Sequence, residues 1–191
     1  MRNRITTRDI QREETKKRIY DVAFKLFDEF GYDKVKVSDI AKAANVSVGS
    51  VYYHYKNKEA IIDYGYYEFD QMLKEAYEKQ TFNSEREAIL FLIDFQIKDV
   101  FLDIGLNMTT ICFKNQINAE NTYLHSDERY LYQKLLENLN NIQHMNKEHA
   151  AKMMLRISRG SIYDWCCHNG SYDLIEAVHE EISIVLDYIG L

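Results

Sequence analysis

The sequence predicts an all-α fold: an N-terminal three-helix domain with a helix-turn-helix, then a C-terminal helical domain, with about nine helices in total. Three observations support this prediction. The 191 residues include no proline and only seven glycines, which favours helices joined by short connections. Apolar residues make up 46 % of the chain, and they recur at helical i, i+3, i+4 spacing. Residues 37–55 contain two short helical patterns around a polar break.

The distribution of charge divides the chain into two parts. The net charge is −6, but residues 1–58 hold thirteen Lys and Arg against eight Asp and Glu, a net charge of +5. The remaining residues hold eleven against twenty-two, a net charge of −11. A basic N-terminal part followed by an acidic C-terminal part favours a polyanionic partner for the N-terminal part. We predict domains at 1–57 and 58–191. A DNA-packaging protein without sequence preference would be basic throughout, and this chain is not.

The first helix is predicted from about residue 10 to residue 30, with one apolar stripe and with Gly31 as its stop. Residues 1–8 hold three Arg and are predicted to form an arm, which either enters a minor groove or simply frays. The basic residues 16–18 lie on the opposite side of the helix from the stripe. They are either solvated or in contact with a DNA backbone.

Residues 37–55 are predicted to fold as a helix-turn-helix. Ile40, Ala41 and Ala44 recur at helical spacing, and Asn45-Val46-Ser47 then interrupts the pattern. The small alanine side chains allow two helices to cross closely, and the serine suits the N-cap of the second helix. Such a motif can place its second helix in the major groove of DNA.

The second helix of the motif presents one apolar and one polar side. Val48 and Val51 are expected to turn inward. Gly49 has no side chain and therefore permits close approach to a phosphate or a base edge. Polar tips on the exposed side come from Ser50, Tyr52, Tyr53 and His54.

This stretch and its surroundings resemble the tetracycline-repressor (TetR) family of transcriptional regulators over about residues 12–62. The resemblance is carried by Gly31-Tyr32, Ile40-Ala41, Val46-Ser47-Val48-Gly49, Tyr52-Tyr53-His54-Tyr55 and Lys58-Glu59. It implies a homodimer whose N-terminal domains bind double-stranded operator DNA and whose C-terminal domains bind an unknown small-molecule inducer. The predicted DNA-binding residues are Lys36, Ser47, Val48, Gly49, Ser50, Tyr52, Tyr53, His54 and Lys58. Lys36 departs from the family, which usually has a capping Ser or Thr there, but it can reach a phosphate.

Six further helices are predicted after the motif, at about residues 58–80, 84–102, 107–119, 126–142, 146–168 and 172–189. Asn57, Ser84, Ser126 and Asn146 are the expected N-caps. The first of these helices starts near the predicted DNA contacts and ends in the second domain. The last two are joined by a tight turn and must be antiparallel neighbours. The resemblance implies that this pair forms the dimer interface.

The predicted helix 84–102 is apolar nearly all round, which indicates a buried central helix. Asp94 and Gln96 are its polar exceptions, and each needs either another protein side chain or a bound ligand as a partner. The acidic C-terminal part would suit a cationic ligand. Candidate ligand-binding residues are Phe91, Asp94, Phe95, Gln96 and Trp165, although aromatic residues at this spacing are also typical of a plain core.

Other classes of function have little support in the sequence. The six histidines form no metal-ligand pattern, and no phosphate loop or nucleophile elbow is present, so we expect neither an enzyme nor a cofactor. Cys112, Cys166 and Cys167 fit neither a disulfide framework nor a zinc site, and a redox switch remains the minor alternative. The absence of a signal sequence and of a membrane-spanning stretch leads us to expect a cytoplasmic protein. The alternative function is a redox-responsive or activating helix-turn-helix regulator without an inducer.

Overall fold

The computed structural model describes residues 6–118 and 123–191. These residues form nine α-helices and no strand, and the predicted fold class is confirmed. The helices are α1 (Thr7–Phe30), α2 (Val37–Ala43), α3 (Val48–His54), α4 (Lys58–Tyr77), α5 (Glu85–Gln96), α6 (Gly105–Asn118), α7 (Tyr130–Asn138), α8 (Lys147–Cys167) and α9 (Leu174–Ile189). A π-helical segment, Ile97–Leu102, follows α5, and a 3-10 turn, Tyr123–His125, precedes α7. No helix in this part of the chain is long and apolar enough to cross a bilayer.

Internal contacts divide the chain into two compact units, Met1–Gly65 and Tyr66–Leu191. The first two turns of α4 therefore belong to the first unit. Ile61 and Ile62 on these turns are fully buried. The predicted boundary between residues 57 and 58 separates a DNA-binding domain from a ligand-binding and dimerisation domain. This functional division stays a prediction.

Helix α1 begins earlier than its apolar stripe indicates. The Asp9 N–H donates to Thr6 Oγ1 at 3.2 Å, and the Thr6 N–H donates to Asp9 Oδ2 at 3.0 Å, which completes a capping box. The prediction of an arm over residues 1–8 is therefore wrong for residues 7 and 8, and residues 1–5 lie outside the described residues. The Gly31 N–H donates to Phe27 O at 3.0 Å, so the predicted stop is confirmed.

The structure also corrects two boundaries in the second unit. The helix predicted over residues 84–102 is α-helical only to Gln96, and its remainder is the π-helical segment. Ser126 does not cap α7, because its Oγ accepts from the Glu128 N–H at 3.1 Å within a turn. Helix α7 begins at Tyr130, whose N–H donates at 2.9 Å to Asp70 Oδ2 on α4. Because the capping residue lies sixty residues earlier in the sequence, the residues next to α7 do not indicate where the helix begins.

Helices α8 and α9 pack side by side and run antiparallel. Ser161 Oγ donates to Glu181 Oε2 at 2.7 Å, and Trp165 Nε1 donates to Tyr172 O at 3.1 Å, so later residues of α8 meet earlier residues near α9. Asn146 caps α8 as predicted, since its Oδ1 accepts from the His149 N–H at 2.7 Å.

Candidate nucleic-acid interface

The turn between α2 and α3 has the geometry of a helix-turn-helix. Asn45 adopts a left-handed φ of 52°, which an asparagine tolerates better than most residues do. The Val46 N–H then donates back to Ala41 O at 3.0 Å, which ends α2. Ser47 Oγ accepts from the Ser50 N–H at 3.0 Å and so caps α3. These bonds hold α3 at a defined angle to α2.

Helix α3 has one buried side and one open side. Val51 is buried, whereas Val48 is 42 % exposed, Tyr52 54 % and Tyr53 72 %. The expectation that Val48 turns inward is therefore wrong, because the first residue of so short a helix lies outside the crossing with α2. Ser50 and His54 are partly buried beside these residues. A cluster of apolar and aromatic side chains that is exposed on a protein surface is typical of a binding site.

Gly49 lies on the open side of α3. A Cβ atom built there would meet only Ser47 Oγ, at 3.7 Å, which is an ordinary contact. Its φ is not in the left-handed region. Neither packing nor backbone conformation therefore requires a glycine here, and the absence of a side chain leaves the outer surface of α3 open.

Basic residues of α1 lie beside the end of α3. Burial, followed by the positive charge of Lys16, lowers the pKa of His54 below its ordinary value of 6.5. The imidazole is therefore neutral at pH 7 and can both donate and accept a hydrogen bond. Arg12 also contributes to this positive field at His54, and it was not among the predicted site residues. In the sequence, Arg12 is marked only by the helical spacing of α1. That spacing does not reveal which face of α1 lies near α3.

The two predicted lysine contacts differ in the structure. The Lys36 side chain is exposed and does not cap α2, and the Lys36 N–H donates instead to Asp39 Oδ2 at 2.9 Å. Lys58 Nζ donates to Tyr32 O at 2.7 Å and to Val35 O at 2.9 Å. Two of its three N–H groups therefore hold the loop before α2. Its predicted pairing with a phosphate stays a prediction.

The polar candidates for ligand binding in the second unit have protein partners. Asp94 accepts hydrogen bonds from His179 Nε2 and, at 3.2 Å, from Lys98 Nζ. Gln96 is buried, and its Oε1 accepts from Ser158 Oγ at 3.3 Å. Of the two explanations left open by the sequence, the structure supports protein partners for both residues.

The aromatic candidates pack within the core of the second unit. Phe95 lies between Phe69 and Phe91, with ring centroids 5.7 and 6.2 Å apart, and Trp165 is buried, with its Nε1 donating to Tyr172 O in the turn before α9. None of the five candidates lines either of the two cavities described below. Their role in ligand binding stays a prediction.

Comparison of the sequence with known proteins identifies the first unit. The profile of the family described as "Bacterial regulatory proteins, tetR family" matches residues 19–64. The biofilm operon icaADBC negative transcriptional regulator IcaR of Staphylococcus epidermidis is 50 % identical over 46 residues, which is 24 % of this chain and 25 % of that protein. The A-factor receptor protein of Streptomyces griseus is 40 % identical over 48 residues, 25 % of this chain and 17 % of that protein. The match thus spans a quarter or less of the length of these relatives.

Comparison with solved structures extends the likeness to nearly the whole chain. FadR of Thermus thermophilus, in complex with lauroyl-CoA, superposes with a TM-score of 0.67 at 19 % identity over 91 % of this chain and 94 % of that one. FadR of Bacillus subtilis, in complex with stearoyl-CoA, gives 0.62 at 20 % identity over 91 % and 98 %. At such low identity the likeness concerns the fold alone.

The fold and the open face of α3 together define a helix-turn-helix protein with a separate all-helical second unit. Its fold is similar to those of the two FadR structures. Over residues 19–64 the chain is similar to the tetR family of bacterial regulatory proteins.

Proposed function

We propose that the chain is a sequence-specific transcriptional repressor that binds a palindromic DNA operator as a homodimer and is released by a small molecule. The open face of α3 carries this proposal. It combines exposed tyrosines, a glycine that the fold does not require, and nearby cations on α1. A helix of this kind can enter the major groove while the flanking cations contact phosphates.

Each residue of the interface has a proposed role that fits its position. Ser50 and Tyr52 contact bases or phosphates, and Gly49 lets the backbone approach closely. Tyr53, His54 and Lys36 contact the DNA backbone. Ser47 acts through the cap of α3, and Lys58 acts by holding the loop before α2. Val48 supplies an exposed methyl-bearing surface, which suits the methyl group of a thymine.

Exposed apolar residues on α8 and α9 support a homodimer through these helices. Tyr163, Ile184 and Tyr188 are all more than half exposed, and Ile184 reaches 66 %. Beside them lies a shallow groove of about 630 Å³ lined in part by Gly160 and Ala177. A contiguous apolar face with small residues allows two helix pairs to meet closely. A two-fold axis would place the two α3 helices about one DNA turn, ~34 Å, apart.

The environments of two of the three cysteines favour a small-molecule effector over a redox signal. Burial raises the pKa of Cys112 to about 12, and burial also raises the pKa of Cys166. Thiols react with oxidants as thiolates, so these two are poorly suited to sensing them. Helix α4 runs from the first unit into the second, and an effector that shifts it would change operator affinity by population shift.

The proposal is tested by selection of duplex DNA from a random pool, followed by fluorescence anisotropy with the selected and scrambled duplexes. A repressor of this kind should prefer a palindrome by at least about a thousandfold. Its affinity should fall steeply with added salt, because neutralised phosphates release counterions. Equal binding to selected and random duplexes at moderate ionic strength would contradict the proposal.

A further inference from the structure

A cavity of about 250 Å³ lies between the turn before α7 and one face of α8. It is separate from the groove on the proposed dimer face, although Arg156 borders both. Its apolar wall is formed by Leu124, Leu131, Tyr132 and Leu155. Since a water molecule in the liquid occupies about 30 Å³, the cavity has room for about eight to ten non-hydrogen atoms. A whole acyl-CoA does not fit inside it.

The charged residues that line this cavity are mostly cations. Among the residues that the structure describes, they are the cations Arg129, Lys152, Arg156 and Arg159 and one carboxylate, Asp127. Lys152 Nζ lies 3.9 Å from Asp127 Oδ1, and Arg129 is paired with Asp70 behind the wall. Among residues 6–118 and 123–191, the guanidinium groups of Arg156 and Arg159 form no ion pair with a carboxylate. This cationic lining is the opposite of what the net charge of −11 for residues 59–191 suggested.

The cations on α8 repel one another. Lys152, Arg156 and Arg159 are spaced four and three residues apart, so they lie on one side of the helix. Like charges at this spacing destabilise a helix. An anion in the cavity would remove this repulsion.

Arg159 is a largely buried cation with an incomplete set of hydrogen bonds. Its Nη2 donates to Leu124 O at 3.1 Å. Within residues 6–118 and 123–191, its buried Nε has no hydrogen-bond partner, and no carboxylate lies within ion-pair distance of it. Burial, followed by the charge of Arg129, lowers the pKa of Arg159 to about 10. A buried charge without a counterion is costly, and an anionic ligand offsets that cost.

Arg129 provides the second unsatisfied donor at the same cavity. Its side chain is only 2 % exposed. Its Nε and Nη2 donate to Asp70, at 3.2 and 2.7 Å. Its buried Nη1 has no partner in the part of the chain that the structure describes. Buried guanidinium donors are normally paired, so an unpaired one beside a cavity points to a ligand.

We infer that this cavity is a binding site for a small oxyanion, a carboxylate or a phosphate, held by Arg159 and Arg156 with Arg129 behind them. The leucine and tyrosine wall accommodates a small apolar part of such a ligand. The guanidinium groups match its oxygens in geometry as well as in charge. Because binding is measured on the protein alone, the inference does not depend on the proposed operator function.

Isothermal titration calorimetry of the full chain tests this inference with sodium benzoate, inorganic phosphate and benzamide, the neutral counterpart of benzoate. Benzoate, phosphate or both should bind saturably at one site, and benzamide should bind at least about tenfold more weakly than benzoate. Benzoate binding identifies a carboxylate site and phosphate binding a phosphate site. Absence of saturable binding by both anions, or equal binding of benzoate and benzamide, would overturn the inference.

Substitutions of the arginines that line the cavity test whether the anion binds there. Arg159→Met should weaken binding of the anion at least about tenfold, because it removes the buried charge and keeps the chain length. Lys74→Met removes one positive charge from an exposed position on α4, away from the cavity, and should bind as the wild type does. If Arg159→Met fails to fold, Arg156→Gln at an exposed position replaces it and should weaken binding severalfold. Unchanged affinity in the folded variant would overturn the assignment.

Discussion

Asp70 and Arg129 form a buried ion pair, with Arg129 Nη2 2.7 Å from Asp70 Oδ1 and with side chains 1 % and 2 % exposed. The same carboxylate accepts from Tyr123 Oη and from the Tyr130 N–H, both at 2.9 Å. One residue of α4 thus anchors the turn before α7 and caps α7 itself. Its guanidinium partner also lines the cationic cavity. The buried ion pair therefore connects α4 to a residue that lines the cavity.

Asp70→Asn should destabilise the second unit by about 3–5 kcal/mol, because it leaves the charge of Arg129 buried without a counterion. Urea unfolding followed by circular dichroism measures the change. Asp103→Asn, at an exposed position, is the matched control and should stay within about 0.5 kcal/mol of the wild type. Equal stability of the two variants would show that the pair contributes nothing.

Gly49→Ala should weaken operator binding without harming the fold. The added methyl group meets only Ser47 Oγ at 3.7 Å, and alanine favours a helix over glycine by up to about 1 kcal/mol. Thermal unfolding should therefore show equal or higher stability. Anisotropy with the selected duplex should show a clear loss of affinity. An unchanged affinity would mean that DNA does not approach this part of α3 closely.

Tyr52→Ala should lower operator affinity by at least about tenfold, since a good specific contact is worth about 1–3 kcal/mol. The side chain is more than half exposed, so dimerisation and stability should not change. Phe30→Ala removes a similarly exposed ring from the end of α1 and serves as the control. A loss of equal size in both variants would argue against a specific role for Tyr52.

Ile184→Glu should convert the proposed dimer into monomers, because it places a charge on the exposed apolar face of α8 and α9. Size-exclusion chromatography with light scattering measures the mass of the particle. Met72→Glu, at a similarly exposed apolar position on α4, is the control and should leave the mass unchanged. If the Ile184→Glu variant is still a dimer, the dimer interface does not include Ile184.

The lowered pKa of His54 predicts a specific pH dependence. The unfolded chain binds the proton at its ordinary pKa of 6.5 and the folded chain only below that, so folding stability falls as pH drops through this window. His54→Gln removes this proton uptake. Between pH 7 and pH 5 the variant should therefore lose less stability than the wild type in urea unfolding. A larger loss in the variant would contradict the sign of the shift.

Much of the first unit was predictable because its signals are local. Ser47 caps α3, Gly31 ends α1 and Val51 is buried, as short-range spacing indicated. Val48 and Lys58 were less predictable, since exposure at the first residue of a helix and pairing with distant carbonyls depend on the neighbouring segments.

The sequence by itself determined the helical class, the basic N-terminal and acidic C-terminal parts, and the place of the helix-turn-helix, because each follows from spacing or charge along the chain. Only the tertiary structure decided where α7 begins, that Asp94 and Gln96 have protein partners, and that cations gather around a cavity in an acidic unit. Those features depend on contacts between residues 35 to 85 positions apart, such as Arg159 with Leu124 and Asp94 with His179. The periodicity of one helix does not reveal which residue of another helix it meets.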